Sequence, residues 1–252
     1  MIGSSRRRRL LCGVLGAFCL GGLLPTSAWA QHQPGALKVR LVSTEFPPYY
    51  ASDLPGQGIL GALVVDAFHR AGYAATIEFM PWARALQEAQ RGYFDGIVGI
   101  WHSEERARNF AFSEPTAANE IGYYLSVVNQ FDRKRLETLD GLIVGTVRDY
   151  RNPDVITRLK PKTEETVDDA TNLRKLAAGR IDVALVDRRL AEHLLKTSLS
   201  NLRGKVIFSG RVIDTLPLYV AFSKSVPGYE AKLSALNRGL VILKTEGRFP
   251  LP

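Results

Sequence analysis

The chain is 252 residues long, 46% hydrophobic and 23% charged, with only two cysteines and a formal charge of +8. That length suits one large domain or two small lobes around a packed core. The basic excess is not clustered with stacking aromatics, so composition gives no ground for nucleic-acid binding.

The N-terminus carries Arg6, Arg7, Arg8 and Arg9, then the apolar stretch Leu10 to Leu24, then Pro25 and the triplet Ala28-Trp29-Ala30. A basic n-region, an apolar h-region and an A-x-A site, in that order, read as a signal peptide cleaved after Ala30. About fifteen apolar residues broken by glycines fall short of the roughly 20 needed to span a bilayer. The arginine run also fits a twin-arginine leader, so the export route stays open. Cys12 and Cys19 follow Leu11 and Phe18, where lipid attachment needs a small residue, and both lie inside the signal. The mature chain then has no thiol, which excludes disulfides, cysteine nucleophiles and cysteine-held metals. Its 29 basic residues stand against 25 acidic ones, a net charge of +4. The expected location is the periplasm.

Beyond the leader, Leu37, Val39 and Leu41 alternate with Lys38 and Arg40, which predicts a first strand. The turn-rich, aromatic segment Glu45 to Gly58 follows. Apolar residues then recur at helical spacing from Leu60 to Ala71, with Gly72 as the stop. Strand Ala75 to Phe79, helix Trp82 to Arg91 and strand Phe94 to Ile100 continue the alternation, which implies parallel strands with crossover helices, an α/β fold. The second half repeats it with strand Leu142 to Val147, helices Pro153 to Leu159 and Asp168 to Ala178, and strand Ile181 to Val186. Gly92-Tyr93-Phe94-Asp95 precedes one buried strand and Gly179-Arg180-Ile181-Asp182 another, a weak sign of two similar lobes. Ile121 to Val127 and Leu216 to Phe222 flank the second lobe and are the candidates for two crossing strands. An amphipathic helix over Tyr229 to Leu243, striped with Leu233, Leu236, Leu240 and Leu243, closes the chain.

Enzymatic signatures are scarce. His32, His69, His102 and His193 are scattered singly, with no partner at metal-ligand spacing, and no nucleophile elbow, phosphate loop or dinucleotide fingerprint is present. No cofactor, metal or catalytic residue is expected, and the weight falls on a binding module. The informative stretch is Gly99-Ile-Trp101-His-Ser103-Glu-Glu-Arg106-Ala-Arg108, just past a buried strand. Ser103 is a natural N-cap, and ligands in open α/β sheets collect at such strand ends. Arg106 there can grip a carboxylate through two parallel hydrogen bonds. Spacing alone leaves equally open that Arg106 or Arg108 pairs with Glu104 or Glu105 on a solvated face.

Asp95-Gly-Ile-Val-Gly99, Ser103-Glu-Glu-Arg106-Ala-Arg and Phe112-Ser-Glu-Pro115 together resemble the signature of bacterial extracellular solute-binding proteins, family 3. The resemblance takes in the preceding helix and the Gly179 to Asp187 segment. It implies a type II periplasmic binding protein-like fold, two α/β lobes hinged by two crossing strands. The lobes would be 37–126 with 217–252, and 127–216, with a small ligand closed between them. By the same resemblance Arg106 holds a ligand carboxylate, Gly99 offers a backbone contact, and Asp187 pairs with a ligand amine, although Asp187 also reads as a helix N-cap before Arg188. Trp82 matches an aromatic that stacks on the ligand, with Phe46 or Tyr49 as the opposite wall; lobe-one core is the plain alternative for all three.

Two departures bear on the ligand. Trp101 stands where amino-acid binders place a carboxylate-binding threonine, and an indole can neither accept that bond nor fit that space. Val147-Arg148-Asp149-Tyr150-Arg151 replaces a small Gly/Ser/Thr-rich turn, so Arg148 and Arg151 either face a second anionic group or lie at the surface. The expected partners are a carboxylate-bearing small molecule and an inner-membrane ABC permease, or else a membrane sensor receptor. A cyclohexadienyl dehydratase also resembles this fold; it needs a general acid in the cleft, for which Glu45 or Asp187 is the candidate.

Overall fold

A computed structural model describes residues 37–129 and 131–249. The signal peptide read over residues 1–30, its cleavage site and both cysteines lie outside the described residues.

The elements are β1 (Leu37–Ser43), α1 (Ile59–Arg70), β2 (Tyr73–Phe79), α2 (Trp82–Gln90), β3 (Gly96–Trp101), α3 (Glu104–Asn109), β4 (Phe110–Phe112) and β5 (Ala117–Ser126). There follow β6 (Ile143–Val147), α4 (Asp154–Leu159), β7 (Lys162–Thr166), α5 (Asp169–Ala177), β8 (Val183–Asp187), α6 (Arg188–Lys196), β9 (Val206–Ser223) and α7 (Tyr229–Thr245). The strands run in the order β2-β1-β3-β9-β5-β8-β6-β7, with β4 also on β9. At one end β1 is parallel to β2 and β3; at the other β6 is parallel to β7 and β8. Each end is therefore a β-α-β-α-β lobe whose first strand lies in the middle. This is the two-lobed α/β architecture expected.

The Gly-x-x-Asp pattern has the same job in both lobes. Asp95 accepts from the Arg40 backbone N–H at 2.7 Å, while its own N–H donates to the Arg40 carbonyl at 2.8 Å. Asp182 accepts from the Ile143 N–H at 2.8 Å and donates to the Ile143 carbonyl at 2.9 Å. The carboxylate supplies the acceptor that the central strand needs where its neighbour begins, and so sets the register of each lobe.

The crossing strands are β5 and β9, antiparallel to one another from Ala117 opposite Leu218 to Ser126 opposite Val206. The far half of β9 pairs with β3, and β5 pairs with β8, so the two strands stitch one lobe to the other. Both extend beyond the apolar cores read from sequence. Strand β9 begins ten residues before Leu216, because Ser209-Gly210-Arg211 looks like a break but is a bulge. Gly210 takes φ +89°, and the register shifts between Ile121 and Tyr124 opposite it. Strands β4 and β7 were not foreseen, and helix α6 only through the alternative reading of Asp187 as an N-cap. Strand β7 is the polar outermost strand, Lys-Thr-Glu-Glu-Thr, with no apolar alternation to read.

Among the described residues no helix is long and apolar enough to cross a membrane. The core runs through Leu41, Leu60, Val64 and Phe68 of the first lobe to Val144, Leu173 and Val183 of the second, and α7 buries Ala235, Leu236, Leu240 and Leu243.

If Asp182 pins its lobe, Asp182→Ala lowers stability by about 1–3 kcal/mol, the cost of an unmet amide. A urea titration should show a lower midpoint with an unchanged slope. An unchanged midpoint would remove the register role.

Candidate functional site

The carboxyl ends of β1, β3, β6 and β8 open toward one another between the lobes, the place where such sheets present side chains. From the first lobe, the segment after β1 folds back so that Phe46 stacks on Tyr50, ring centroids 5.6 Å apart at 22°. The Tyr50 hydroxyl donates to the Gly99 carbonyl at 3.3 Å. Gly99 has φ +80°, and a Cβ there would collide with the Tyr50 ring, so both the conformation and the close approach require glycine. At the end of β3 the Trp101 indole donates to Asn119 Oδ1 at 2.8 Å.

Ser103 caps α3 by accepting from the Arg106 N–H at 3.2 Å, which orients the Arg106 side chain inward. Arg106 is only 9% exposed. Its guanidinium donates to the Trp101 carbonyl at 2.8 Å and, across the cleft, to the Asp149 carbonyl at 2.7 Å. It lies over the Trp82 ring at 5.5 Å. Burial lowers its pKa to about 10, which leaves it cationic at neutral pH. Arg106 forms no ion pair among the described residues, so the pairing with Glu104 or Glu105 does not occur.

From the second lobe, Asp149 turns the chain at φ +62°, and its carbonyl also accepts from the Trp82 indole at 3.0 Å. The next ring, Tyr150, sits edge-on to Trp82 at 5.7 Å and to Trp101 at 5.2 Å. Its hydroxyl donates to Asp169 at 3.1 Å. Asp187 takes both parts the sequence allowed. One oxygen caps α6 by accepting from Leu190 N–H at 2.8 Å; the other faces the cleft and accepts from Tyr49 and Asn119, each at 3.1 Å. Burial outweighs these bonds and raises its pKa to about 6. Burial, with the nearby Asp187 charge, raises Asp169 to about 7 despite the Tyr150 bond.

The space left at the centre is about 10 Å³, lined by Thr44, Phe46, Tyr50, Trp82, Gly99, Trp101 and Tyr150. That is room for one water at most. A polar groove of about 520 Å³ reaches Arg106 from outside, between Ser103, Glu105, Asp149 and Arg151. An acidic groove of about 320 Å³ runs past Glu45, Asp53, Asp168 and Asp169. Among the described residues no group of His, Cys, Asp or Glu is placed to hold a metal.

Seven of the eight residues singled out from the sequence meet here: Phe46, Tyr49, Trp82, Gly99, Trp101, Arg106 and Asp187. Arg148 does not. It is 61% exposed and faces Glu165 at 3.9 Å, because the turn at Asp149 sends its side chain to the surface while Tyr150 goes in. Glu45 is exposed and bound to Ser52, at 2.6 Å to the hydroxyl and 2.9 Å to the N–H. The sequence reading missed Asn119, Tyr150 and Asp169. An asparagine on the inward-facing side of an apolar strand was the available sign for Asn119, whereas Asp169 is masked by the N-cap Asp168 beside it.

The raised Asp169 sets a pH dependence. A carboxyl with a higher pKa folded than unfolded contributes stability at low pH and loses it as pH rises through the folded value, here from about 4 to about 7. Asp169→Asn should therefore be more stable than the parent at pH 8, with the advantage vanishing below pH 4. Melting temperatures would differ by roughly 2–4 °C for each kcal/mol relieved. A constant difference across that range would show that Asp169 is ionised throughout.

A comparison with curated protein sequences returns no match. Solved structures share the fold. A histidine kinase sensor domain with similarity to periplasmic binding proteins superposes with TM-score 0.74 at 22% identity, covering 85% of this chain and 93% of that one. An ancestral arginine-binding protein bound to arginine gives 0.71 at 22%, covering 84% and 94%. An amino acid ABC transporter substrate-binding protein, AbpA from Streptococcus pneumoniae, bound to L-arginine, gives 0.67 at 16%, covering 84% and 91%. The family description of bacterial extracellular solute-binding proteins, family 3, matches residues 39–249, and with the two-lobed fold already in view the chain belongs to that family.

Proposed function

We propose that this is a periplasmic solute-binding protein that captures a small carboxylate-bearing solute, an amino acid or a related metabolite, between its lobes and delivers it to an ABC permease. The observation that carries this reading is Arg106, a buried cation with no carboxylate partner among the described residues. Carbonyl oxygens take two of its five N–H donors, and the charges of Glu105 and Asp149 support it without forming an ion pair, so an anion paired with it in this buried site is favoured. Asp187, at the opposite wall, is the complementary group for an amine. The lobes are taken as 37–126 with 217–252, and 127–216, and the carboxylate of the solute is the group that both would close upon.

The sensor-domain neighbour supports a second reading, in which the closed form is read by a membrane receptor rather than a permease. Affinity capture from membranes separates the two, by which of these proteins it recovers.

Amino acids and dicarboxylates screened by thermal shift should include a stabilising ligand. At a hundredfold excess over Kd the gain is about 2.7 kcal/mol. Arg106→Ala should abolish that shift while the variant still melts cooperatively, and Arg106→Lys should restore only part of it, since the forked geometry is lost. A panel with no stabiliser, or an Arg106→Ala protein with parental affinity, would sink the reading.

A further inference from the structure

We propose that Tyr150, with the Asp149 carbonyl behind it, is a built-in occupant of the ligand position and the residue that decides which solutes can enter. The proposal deepens the solute-binding reading and rests on it for its ligand arm. Three facts carry it. The donors that face a ligand from the first lobe, the Arg106 guanidinium and the Trp82 indole, both converge on one acceptor from the second lobe, the Asp149 carbonyl, at 2.7 and 3.0 Å. That is the arrangement in which a ligand oxygen would be held. The adjoining phenol ring stands against both indoles, 5.7 Å from Trp82 and 5.2 Å from Trp101, and its hydroxyl is tied back to Asp169 at 3.1 Å. The inner pocket that the ring shares with Phe46, Tyr50, Trp82, Gly99 and Trp101 keeps about 10 Å³, too little for any solute larger than water, while the polar groove of about 520 Å³ that also borders the ring lies beside Arg106.

The Tyr150–Asp169 bond lies within the second lobe and holds the ring in place. Asp149 and Tyr150 come from the second lobe, and Arg106, Trp82 and Trp101 from the first, so the contacts between them exist only when the lobes are together. They therefore hold the closed arrangement by themselves, aided by the bond from Tyr49 to Asp187 across the cleft. A solute must displace the ring and take Arg106 from the carbonyl before it can be gripped. Its apparent affinity is lowered by the small fraction of molecules in which the position is free. The bulky Val147-Arg148-Asp149-Tyr150 turn, in place of a small one, is thus the element that narrows the site.

The test compares the parent chain with Tyr150→Ala and Tyr150→Phe, probed with L-arginine, L-glutamine, L-glutamate and succinate by calorimetry, and without added solute by small-angle scattering. Tyr150→Ala should bind at least one probe about tenfold or more tighter than the parent, the change that a freed site produces, and should show a larger radius of gyration without solute. Tyr150→Phe, which keeps the ring and loses only the Asp169 bond, should gain far less affinity than Tyr150→Ala; an equal gain would show that general loosening rather than removal of the ring frees the site, and would overturn the proposal. If Tyr150→Ala binds as weakly as the parent or more weakly, and its radius is unchanged, the ring is an ordinary wall and the proposal is overturned while solute binding stands. If its radius grows but no probe binds to any of the three, the plug is upheld and the carboxylate-binding reading fails instead.

Discussion

One backbone carbonyl, that of Asp149, joins the two lobes at their functional centre. Its position depends on a residue in the left-handed region, which aspartate tolerates better than most side chains. It accepts from both Arg106 and Trp82 and so gives a buried guanidinium an uncharged partner from the opposite lobe. Burial lowers the Arg106 pKa, the charges of Glu105 and Asp149 oppose that, and the group stays ionised, so the site keeps a positive charge with no ion pair under a lid of aromatic rings. Tyr150 follows from the same turn: the reversal at Asp149 that aims the carbonyl inward also puts Arg148 outside and the phenol inside.

Across the cleft the electrostatics are reversed. Burial raises the cost of ionising both Asp169 and Asp187, and the charge of Asp187 adds to the cost for Asp169. Their oxygens accept from phenol and amide donors on elements far apart in the chain, Tyr49 and Asn119 on Asp187 and Tyr150 on Asp169, and these bonds offset part of the burial cost. A cation thus stands at one wall and two buried carboxyl groups at the other. The lobes that carry these walls share one construction, the reciprocal Asp95–Arg40 and Asp182–Ile143 pairs, and one connection, the β5–β9 ribbon. Stiff lobes on a two-strand ribbon allow movement to concentrate between them.

Much was legible in the residues themselves. Apolar periodicity located the central parallel strands and the main helices, because strands buried on both faces and helices with one apolar stripe leave strong local patterns. Ser103 announced its helix, and the segment from Asp95 to Pro115 carried the family resemblance and with it Arg106. The polar outermost strand β7 and the bulged first half of β9 left no such pattern. Helix α6 was legible only at its start, as the N-cap alternative for Asp187.

The sequence alone thus determined the α/β class and the exchange of strands between two lobes, which follow from local periodicity and capping, and through the family resemblance it named Arg106 and the aromatics that the cleft brings together. Only the tertiary structure decided how the walls meet. Whether Arg148 or Tyr150 enters the cleft turns on a single dihedral at Asp149. The bond of Tyr49 to Asp187 joins residues 138 positions apart. The 10 Å³ left at the centre is set by how rings from both lobes pack. Such contacts depend on the closing of the chain over long distances, and no local pattern of residues encodes them.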